Sequence, residues 1–139
     1  MFTTSPGGGT GGTAWGVQPV VEVRDAGGNL VAGSSLAVTL AITAGSGTTG
    51  AALACAPNQV ATAVAGVATF AGCRIDKAGA GYTLKATGPS VTAGTSAPFT
   101  VSVGTAAKLG VGTQPGGGTA GVAWAVQPVI LVQDAGGNT

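Results

Sequence analysis

The sequence is short of charged residues, and this shortage excludes several classes of protein. Of 139 residues only five are Lys or Arg, four are Asp or Glu and none is His, so the formal net charge is +1. Five basic residues cannot provide the positive surface that follows nucleic-acid phosphates. Long helices need Glu, Lys and Leu in bulk, and disordered chains combine high charge with low hydrophobicity, whereas 45% of these residues are hydrophobic. The composition favours a neutral, β-rich structural protein without a nucleic-acid partner.

The same shortage removes the residues that catalysis and metal binding need. Without histidine there is no ready general base, and the spacing of the four acidic residues suggests no acid pair. Two cysteines without histidine cannot complete a tetrahedral zinc site. No apolar run reaches the roughly 18 residues of a membrane-spanning helix. We therefore expect a protein that is not an enzyme, holds no cofactor and does not insert into a membrane.

The chain repeats itself after 109 residues. The segment PGGGTGGTAWGVQPVVEVRDAGGN at 6–29 returns at 115–138 as PGGGTAGVAWAVQPVILVQDAGGN, with 18 of 24 positions identical. A period of this length is too long for a solenoid and fits a string of whole domains. We predict a complete domain over residues 1–108, called the first repeat, and the N-terminal part of a second, truncated domain over residues 109–139, called the second repeat. The pattern indicates a piece of a longer tandem array.

Within the first repeat, apolar residues alternate with polar or small ones, which is the period of β-strands. Between Ala68 and Ile75 the alternation changes register, and a β-bulge at Gly72 explains the change. Turn-forming residues separate the runs, and no helix is indicated. The expected strands lie in the segments 15–24, 36–42, 51–55, 59–64, 68–75, 82–87 and 99–103. About seven short strands predict an all-β, two-sheet Greek-key sandwich, followed by the first strand region of the second repeat.

The sequence Asp-Ala-Gly-Gly-Asn occurs at the same place in both repeats. Asp and Asn side chains close such turns through hydrogen bonds to the backbone, and glycine supplies the backbone freedom. The residues assigned to this structural turn are Asp25, Gly28, Asn29, Asp134, Gly137 and Asn138. The alternative is a calcium ion between repeats, although calcium prefers six to eight oxygen ligands and the whole chain has four side-chain carboxylates.

Cys55 and Cys73 form an even pair, 18 positions apart. A disulfide between them would stabilise the fold by about 3 kcal/mol and would imply an oxidising compartment. The alternative is two buried free thiols that act as small hydrophobic residues. We favour the disulfide.

Gly7–Gly12 and Gly116–Gly121 both satisfy the pattern G-x-G-x-x-G. A dinucleotide site needs this pattern after a strand and at the start of a helix. Here the glycines precede a strand and no helix follows, so we interpret both segments as flexible connections.

Trp15 and Trp124 occupy equivalent positions, and packing in a core is favoured over a sugar-binding platform because a tryptophan buries a large apolar area.

The order of several short motifs resembles bacterial immunoglobulin-like repeats of the invasin/intimin type. These motifs are VRDAGGN at 23–29, GVATF at 66–70, AGAGYTL at 78–84 and SAPFTV at 96–101. The resemblance covers essentially all of residues 2–104, and residues 109–139 match the family's first strand region. It implies an immunoglobulin-like sandwich that serves as a stalk or spacer of an extracellular bacterial surface protein. We carry over no binding residue, because adhesion in that family usually belongs to terminal domains.

The second repeat differs from the first in its charge. Glu22 and Arg24 are replaced by Leu131 and Gln133, which leaves an uncharged strand face. We expect the segment from Val122 to Val132 to form a strand without a sheet of its own, and such a strand adds readily to the edge of another chain's sheet. The candidate assembly residues are Trp124, Val126, Pro128, Ile130 and Val132.

These observations predict a structural module of an extracellular or cell-surface protein, with adjacent repeats or identical subunits as partners. Strand exchange through the C-terminal strand would assemble it into fibres. The alternative function is an adhesin module that binds a surface glycan or a host receptor. Aromatic side chains on one exposed face would support the alternative, and burial of Trp15 would weaken it.

Overall fold

A computed structural model describes all of residues 1–139, and the chain folds as strands without a helix. No segment of the structure is a helix of the length and hydropathy that crossing a membrane requires. The strands are β1 (Phe2–Thr4), β2 (Gly9–Thr10), β3 (Val20–Glu22), β4 (Ala37–Ile42), β5 (Leu53–Ala56), β6 (Val60–Thr62), β7 (Val67–Thr69), β8 (Ala71–Ile75), β9 (Gly79–Tyr82), β10 (Leu84–Thr87), β11 (Gly94–Thr95), β12 (Phe99–Ser102), β13 (Lys108–Thr113) and β14 (Val129–Gln133).

The strands of the first repeat form several small sheets around one core. One sheet has the order β11-β10-β4-β6, a second has the order β1-β3-β7, and a third has the order β2-β12-β9. Strands β5 and β8 form a separate antiparallel pair, and β2 runs parallel to β12. The all-β class predicted from the alternation is confirmed, and the arrangement is that of a β-sandwich.

The core lies entirely within the first repeat. Sixteen buried hydrophobic residues form a single cluster, and it draws side chains from opposite sheets, such as Val38 and Leu40 of β4 and Val101 of β12. Strand β4 shows the expected alternation, because Val38 and Leu40 are buried while Ala37, Thr39 and Ala41 face solvent. Period-two patterning therefore places this core correctly.

The first repeat contains more strands than the seven expected, because two of the expected runs are divided between sheets and the short strands β1, β2 and β11 were not predicted. The run 82–87 is interrupted at Thr83, so that β9 pairs with β12 while β10 pairs with β4. The alternation continues through this crossing, and Tyr82, Leu84 and Ala86 are all buried. The pattern of burial was predictable, whereas the change of sheet was not.

Tyr82 fixes the corner at which the chain changes sheets. Its side chain is fully buried, and its hydroxyl donates a hydrogen bond of 2.9 Å to the carbonyl oxygen of Lys77. Its ring stacks on Phe99 with a centroid separation of 5.9 Å, and Phe99 in turn meets Trp15 edge to face at 5.1 Å. This is the hydrogen-bonding pattern of a tyrosine corner, and it ties the corner to the aromatic centre of the core.

The run predicted from Trp15 to Arg24 is shorter in the structure. Strand β3 begins only at Val20, after Pro19, which has no N–H to donate to a sheet. Before it, the Gln18 side chain replaces the strand ladder by accepting from the Cys73 N–H at 2.8 Å and donating to the Trp15 carbonyl at 2.6 Å. Trp15 is thereby held in the core.

The disulfide between Cys55 and Cys73 is present and joins the paired strands β5 and β8. Both cysteines are buried within the core cluster. The pairing of these strands shifts register between Ala54 and Ala56, opposite the segment of β8 that contains Gly72. The bulge expected at Gly72 therefore lies beside the disulfide.

The second repeat forms a β-hairpin rather than a lone strand. Strand β14 pairs antiparallel with β13 over five residue pairs, from Lys108 with Gln133 to Thr113 with Val129. The segment 122–132 was predicted to form a strand without a sheet of its own, and this is wrong because one edge of the strand pairs with β13. The strand also begins at Val129 rather than at Val122. The pairing was missed because no strand was predicted over Lys108–Thr113, the segment that forms β13.

Candidate inter-repeat junction

The two Asp-Ala-Gly-Gly-Asn turns have the same internal hydrogen bonds. In each, the Asn backbone N–H donates to Asp Oδ1 at 2.8 Å, and the Asn side-chain amide donates to the carboxylate. In each, the second Gly N–H also donates to the Asp carbonyl, at 3.0 Å in the first turn and 3.1 Å in the second. These glycines, Gly28 and Gly137, have φ values of 86° and 93°, a region that other residues rarely adopt. The turn is thus a unit that each repeat carries.

The two turns differ in their surroundings, because the first is exposed to solvent and the second packs against the first repeat. The first turn, Asp25–Asn29, is exposed along its whole length. In the second turn, Asp134 is 2% exposed, and its Oδ2 accepts the Gly104 N–H at 2.9 Å. The second turn is therefore docked against the first repeat, and we call this contact the inter-repeat junction.

Asn138 makes the remaining polar contacts of the inter-repeat junction. Its side-chain amide donates to the Asp76 carbonyl at 2.8 Å, and its Oδ1 accepts the Ala78 N–H at 2.8 Å. Both partners lie in the loop between β8 and β9. The Asp76 carboxylate faces the other way and accepts the N–H groups of Ala52 and Lys77, which holds that loop in place. One asparagine side chain therefore satisfies both a donor and an acceptor of the first repeat.

Gly11 permits the close approach at this junction. A Cβ atom there would lie 2.6 Å from the Asp76 carbonyl oxygen and 2.9 Å from Asp134 Oδ2, and it would overlap with the Asn138 side-chain amide. Gly11 lies just after β2, and its N–H donates to the Ser102 carbonyl of β12. The segment Gly7–Gly12 was predicted to be a flexible connection, but it contains β2 and forms one wall of the junction. Gly11 and Gly12 are needed here because the second repeat packs against them.

Hydrogen bonds at the junction stabilise the charged form of Asp134. Burial of the carboxyl group acts to raise its pKa, but the N–H of Gly104, the side chain and N–H of Asn138 and the N–H of Gly137 together lower the pKa from 3.8 to about 2. The pKa of Asp25 is also lowered, chiefly by the backbone N–H of Asn29 and then by the Asn29 side chain. Only Asp134 has a donor from the other repeat, the Gly104 N–H.

The remaining candidate residues lie away from this junction. Trp15 is buried in the core, whereas its counterpart Trp124 is 46% exposed. Of the candidate assembly residues, Trp124, Val126 and Pro128 precede β14, and Ile130 and Val132 lie within it, all of them exposed. No group of three or more Asp, Glu, Cys or His side chains comes together in the structure. The carboxylates of both turns are occupied by N–H donors.

Sequence reasoning identified the turn but missed the surface that receives it. Gly11, the loop that contains Asp76 and Ala78, and Gly104 come from three separate places in the first repeat and share no local pattern. The one available signal was the repeat itself, because Asp and Asn recur in the turn while nearby Glu22 and Arg24 do not. Comparison with protein-family models, with curated proteins and with solved structures found no match.

Replacing Gly11 with alanine should open the inter-repeat junction. The added methyl group overlaps with Asn138 and Asp76, and overpacking of this kind typically costs about 1–3 kcal/mol. We expect a lower urea midpoint, and we expect the NMR signals of the Asn138 and Gly104 amides to move toward those of an undocked turn. Gly16→Ala is the matched control, because nothing lies within 4 Å of its Cβ position and Ala125 already occupies the equivalent site. Equal behaviour of the two variants would contradict the packing described for Gly11.

The junction should weaken in acid. Because the folded pKa of Asp134 is about 2 and its ordinary value is 3.8, its stabilising effect is complete above about pH 4 and is lost as the pH falls through about 2. Titration of the Asp134 carboxyl carbon by NMR should give a midpoint near 2, and Asn138→Ala should raise that midpoint because it removes the side-chain donor. A midpoint at or above 3.8 in the unmodified protein would show that the carboxylate is not held as described.

Proposed function

We propose that this chain is a structural repeat module of an extracellular bacterial surface protein, related to the immunoglobulin-like repeats of the invasin/intimin type. In this role it serves as a stalk or spacer whose consecutive repeats are joined in a fixed relation. The observation that carries the proposal is the docked turn Asp134–Asn138, with its buried Asp134, through which one repeat binds the loops of the repeat before it. A stalk or spacer keeps the parts of a protein at a fixed separation, and this requires consecutive repeats to be joined rigidly.

The connection between the repeats is short and is restrained at both ends. Gly104 donates to Asp134, and only three residues separate Gly104 from the start of β13 at Lys108. The Ala107 N–H donates to the Gln133 carbonyl at 2.7 Å, and Lys108 Nζ reaches the carbonyl of Ala135 at 3.3 Å. A short connection with hydrogen bonds on both sides loses little further entropy when the repeats dock. This supports a stiff joint rather than a swinging one.

The extracellular setting is supported by the disulfide. Cys55 and Cys73 are bonded within the core, among aliphatic and aromatic side chains. Disulfides persist in oxidising compartments and are rare in the cytosol.

The adhesin alternative is less well supported by the positions of the aromatic side chains. A glycan platform would present several aromatic rings on one exposed face, but Trp15, Phe70, Tyr82 and Phe99 are all buried. They pack against one another and against the aliphatic core. The structural proposal accounts for their positions and the adhesin proposal does not.

The stalk proposal predicts that the two repeats tumble as one body. Residual dipolar couplings of the amides in β13 and β14 should fit the same alignment tensor as those of residues 1–103. Gly11→Ala should separate the two sets because it opens the inter-repeat junction, whereas Gly16→Ala should leave them joined. Independent alignment of the hairpin in the unmodified protein would contradict a fixed joint.

Assembly by strand exchange remains part of the proposal and is supported by one free edge. In the first repeat β3 pairs with β1 on one edge and with β7 on the other. In the second repeat β14 pairs with β13 alone, so the edge equivalent to the β7 side is open, with Val129, Ile130 and Val132 about half exposed. An open apolar edge binds further strands.

Strand exchange predicts oligomers of the full chain that depend on β14. Light scattering on non-reduced protein should show species larger than 12.9 kDa as the concentration rises. The double variant Leu131→Glu, Gln133→Arg copies the Glu22 and Arg24 charges of the first repeat and should reduce assembly, because charges protect strand edges. A monomer at all concentrations would contradict strand exchange and would leave the joint between repeats unaffected.

A further inference from the structure

A groove of about 630 Å³ opens between the sheet β1-β3-β7 and the sheet β11-β10-β4-β6. It lies at the end of the first repeat that carries the exposed turn Asp25–Asn29. The exposed turn residues Asp25, Ala26 and Gly28 form part of its rim. The apolar side chains that line it include Phe2, Val23, Leu36, Val38, Ala86 and Val91. Val23, Val38 and Ala86 belong to the buried core cluster, whereas Phe2 and Leu36 are only partly buried and Val91 is 40% exposed. The groove therefore leaves apolar surface at this end of the core uncovered, which is unfavourable.

The second repeat shows which residues occupy the equivalent place beside β14. Strand β13 and strand β1 pair with their partners in the same register, since Val111 pairs with Ile130 as Phe2 pairs with Val21. Strand β13, however, begins three residues earlier, and Lys108, Leu109 and Gly110 pair with Gln133, Val132 and Leu131. In the first repeat the corresponding pairing ends at Met1, whose carbonyl accepts the Glu22 N–H at 2.8 Å.

The side chain of Leu109 lies on the side of its strand that corresponds to the groove. Leu109 and Val111 are two residues apart and therefore face the same side of β13. The counterpart of Val111 is Phe2, which packs against the core, and the cross-strand partner of Leu109 is Val132, whose counterpart Val23 lines the groove. Leu109 itself is 73% exposed, because no opposing sheet covers it in the second repeat. A leucine in the equivalent position of the first repeat would enter the groove.

The free turn beside the groove matches the turn that is docked in the second repeat. Arg24 Nη1 donates to the Gly28 carbonyl, and Gln133 Nε2 donates to the Gly137 carbonyl, so the two turns are supported alike. The turn Asp134–Asn138 binds the Gly104 N–H, the Ala78 N–H and the Asp76 carbonyl of the first repeat. The turn Asp25–Asn29 has the same groups, which make hydrogen bonds within the turn but none to another repeat.

We propose that the groove and the turn Asp25–Asn29 together form a receiving face for the carboxyl end of another repeat of this kind, placed directly before Met1. The connecting segment of that repeat extends β1, and its equivalent of Leu109 fills the groove against Phe2 and Val23. Its equivalents of Gly11, Asp76, Ala78 and Gly104 bind the turn. This inference rests on the proposed stalk function and adds the surface through which an earlier repeat is bound.

The groove is tested by a short extension of the full chain. One variant carries Gly-Thr-Ala-Ala-Lys-Leu, the sequence of residues 104–109, in front of Met1, and its control carries Gly-Thr-Ala-Ala-Lys-Ser. Both extensions remove the Met1 ammonium charge, so their difference isolates the leucine side chain. Because the leucine side chain would be buried in the groove, whereas serine offers no comparable apolar surface, we expect the leucine variant to have a folded-to-unfolded ratio in urea at least roughly tenfold higher, which corresponds to about 1.4 kcal/mol.

Contacts between the added leucine and the methyl groups of Val23 and Val91 in NMR spectra should accompany that gain. Equal urea midpoints for the leucine and serine extensions would overturn the assignment of the groove. That result would not touch the fixed joint at Asp134, which the dipolar couplings test separately.

The turn is tested by a longer variant in which residues 1–109 are inserted before Met1 of the full chain. Hydrogen exchange of the Asn29 N–H should slow at least tenfold, toward that of the Asn138 N–H. Gly11→Ala in the inserted repeat should reverse this, while Gly16→Ala in the same repeat should not. Unchanged exchange at Asn29 after the insertion would overturn the proposed receiving role of the turn.

Discussion

The hydrogen bond from the Gly104 N–H to the buried Asp134 carboxylate is the interaction on which the relation between the two repeats depends. A buried carboxylate is unfavourable unless donors surround it, and here the turn itself supplies donors while the first repeat supplies another. Asn138 completes the contact by pairing with both Asp76 and Ala78. The joint is therefore polar and directional, which fixes orientation better than an apolar contact of the same size.

The unusual composition fits this design. The first repeat encloses a hydrophobic core of aliphatic and aromatic side chains with one disulfide, so it needs few charged groups to fold. Glycine is used where the second repeat comes closest, at Gly11, and where each turn needs a positive φ, at Gly28 and Gly137. A chain with only nine charged residues places two of its four acids in the two equivalent turns. Those acids have a specific structural task.

Local pattern was sufficient to predict the parts of the fold that depend on burial. The alternation around Val38, Leu40 and Leu84 identified buried positions correctly, and the spacing of Cys55 and Cys73 indicated the disulfide. The short strands β1, β2 and β11 were missed, because two or three residues carry no periodicity, and β1 and β2 pair with strands far along the chain. The receiving loops around Asp76 and Gly104 were missed because they are far apart in the sequence, and only the tertiary fold places both beside the second turn. The crossing at Thr83 is likewise a property of the tertiary fold.

The central claim is that the second turn is docked and the first is not, and the chain contains its own control for measuring this. The backbone N–H groups of Asn29 and Asn138 make the same hydrogen bond within their turns, each 2.8 Å long. Native-state hydrogen exchange of the two amides therefore compares docking alone. The structure predicts markedly slower exchange for Asn138 than for Asn29. Equal exchange rates at the two positions would contradict the account.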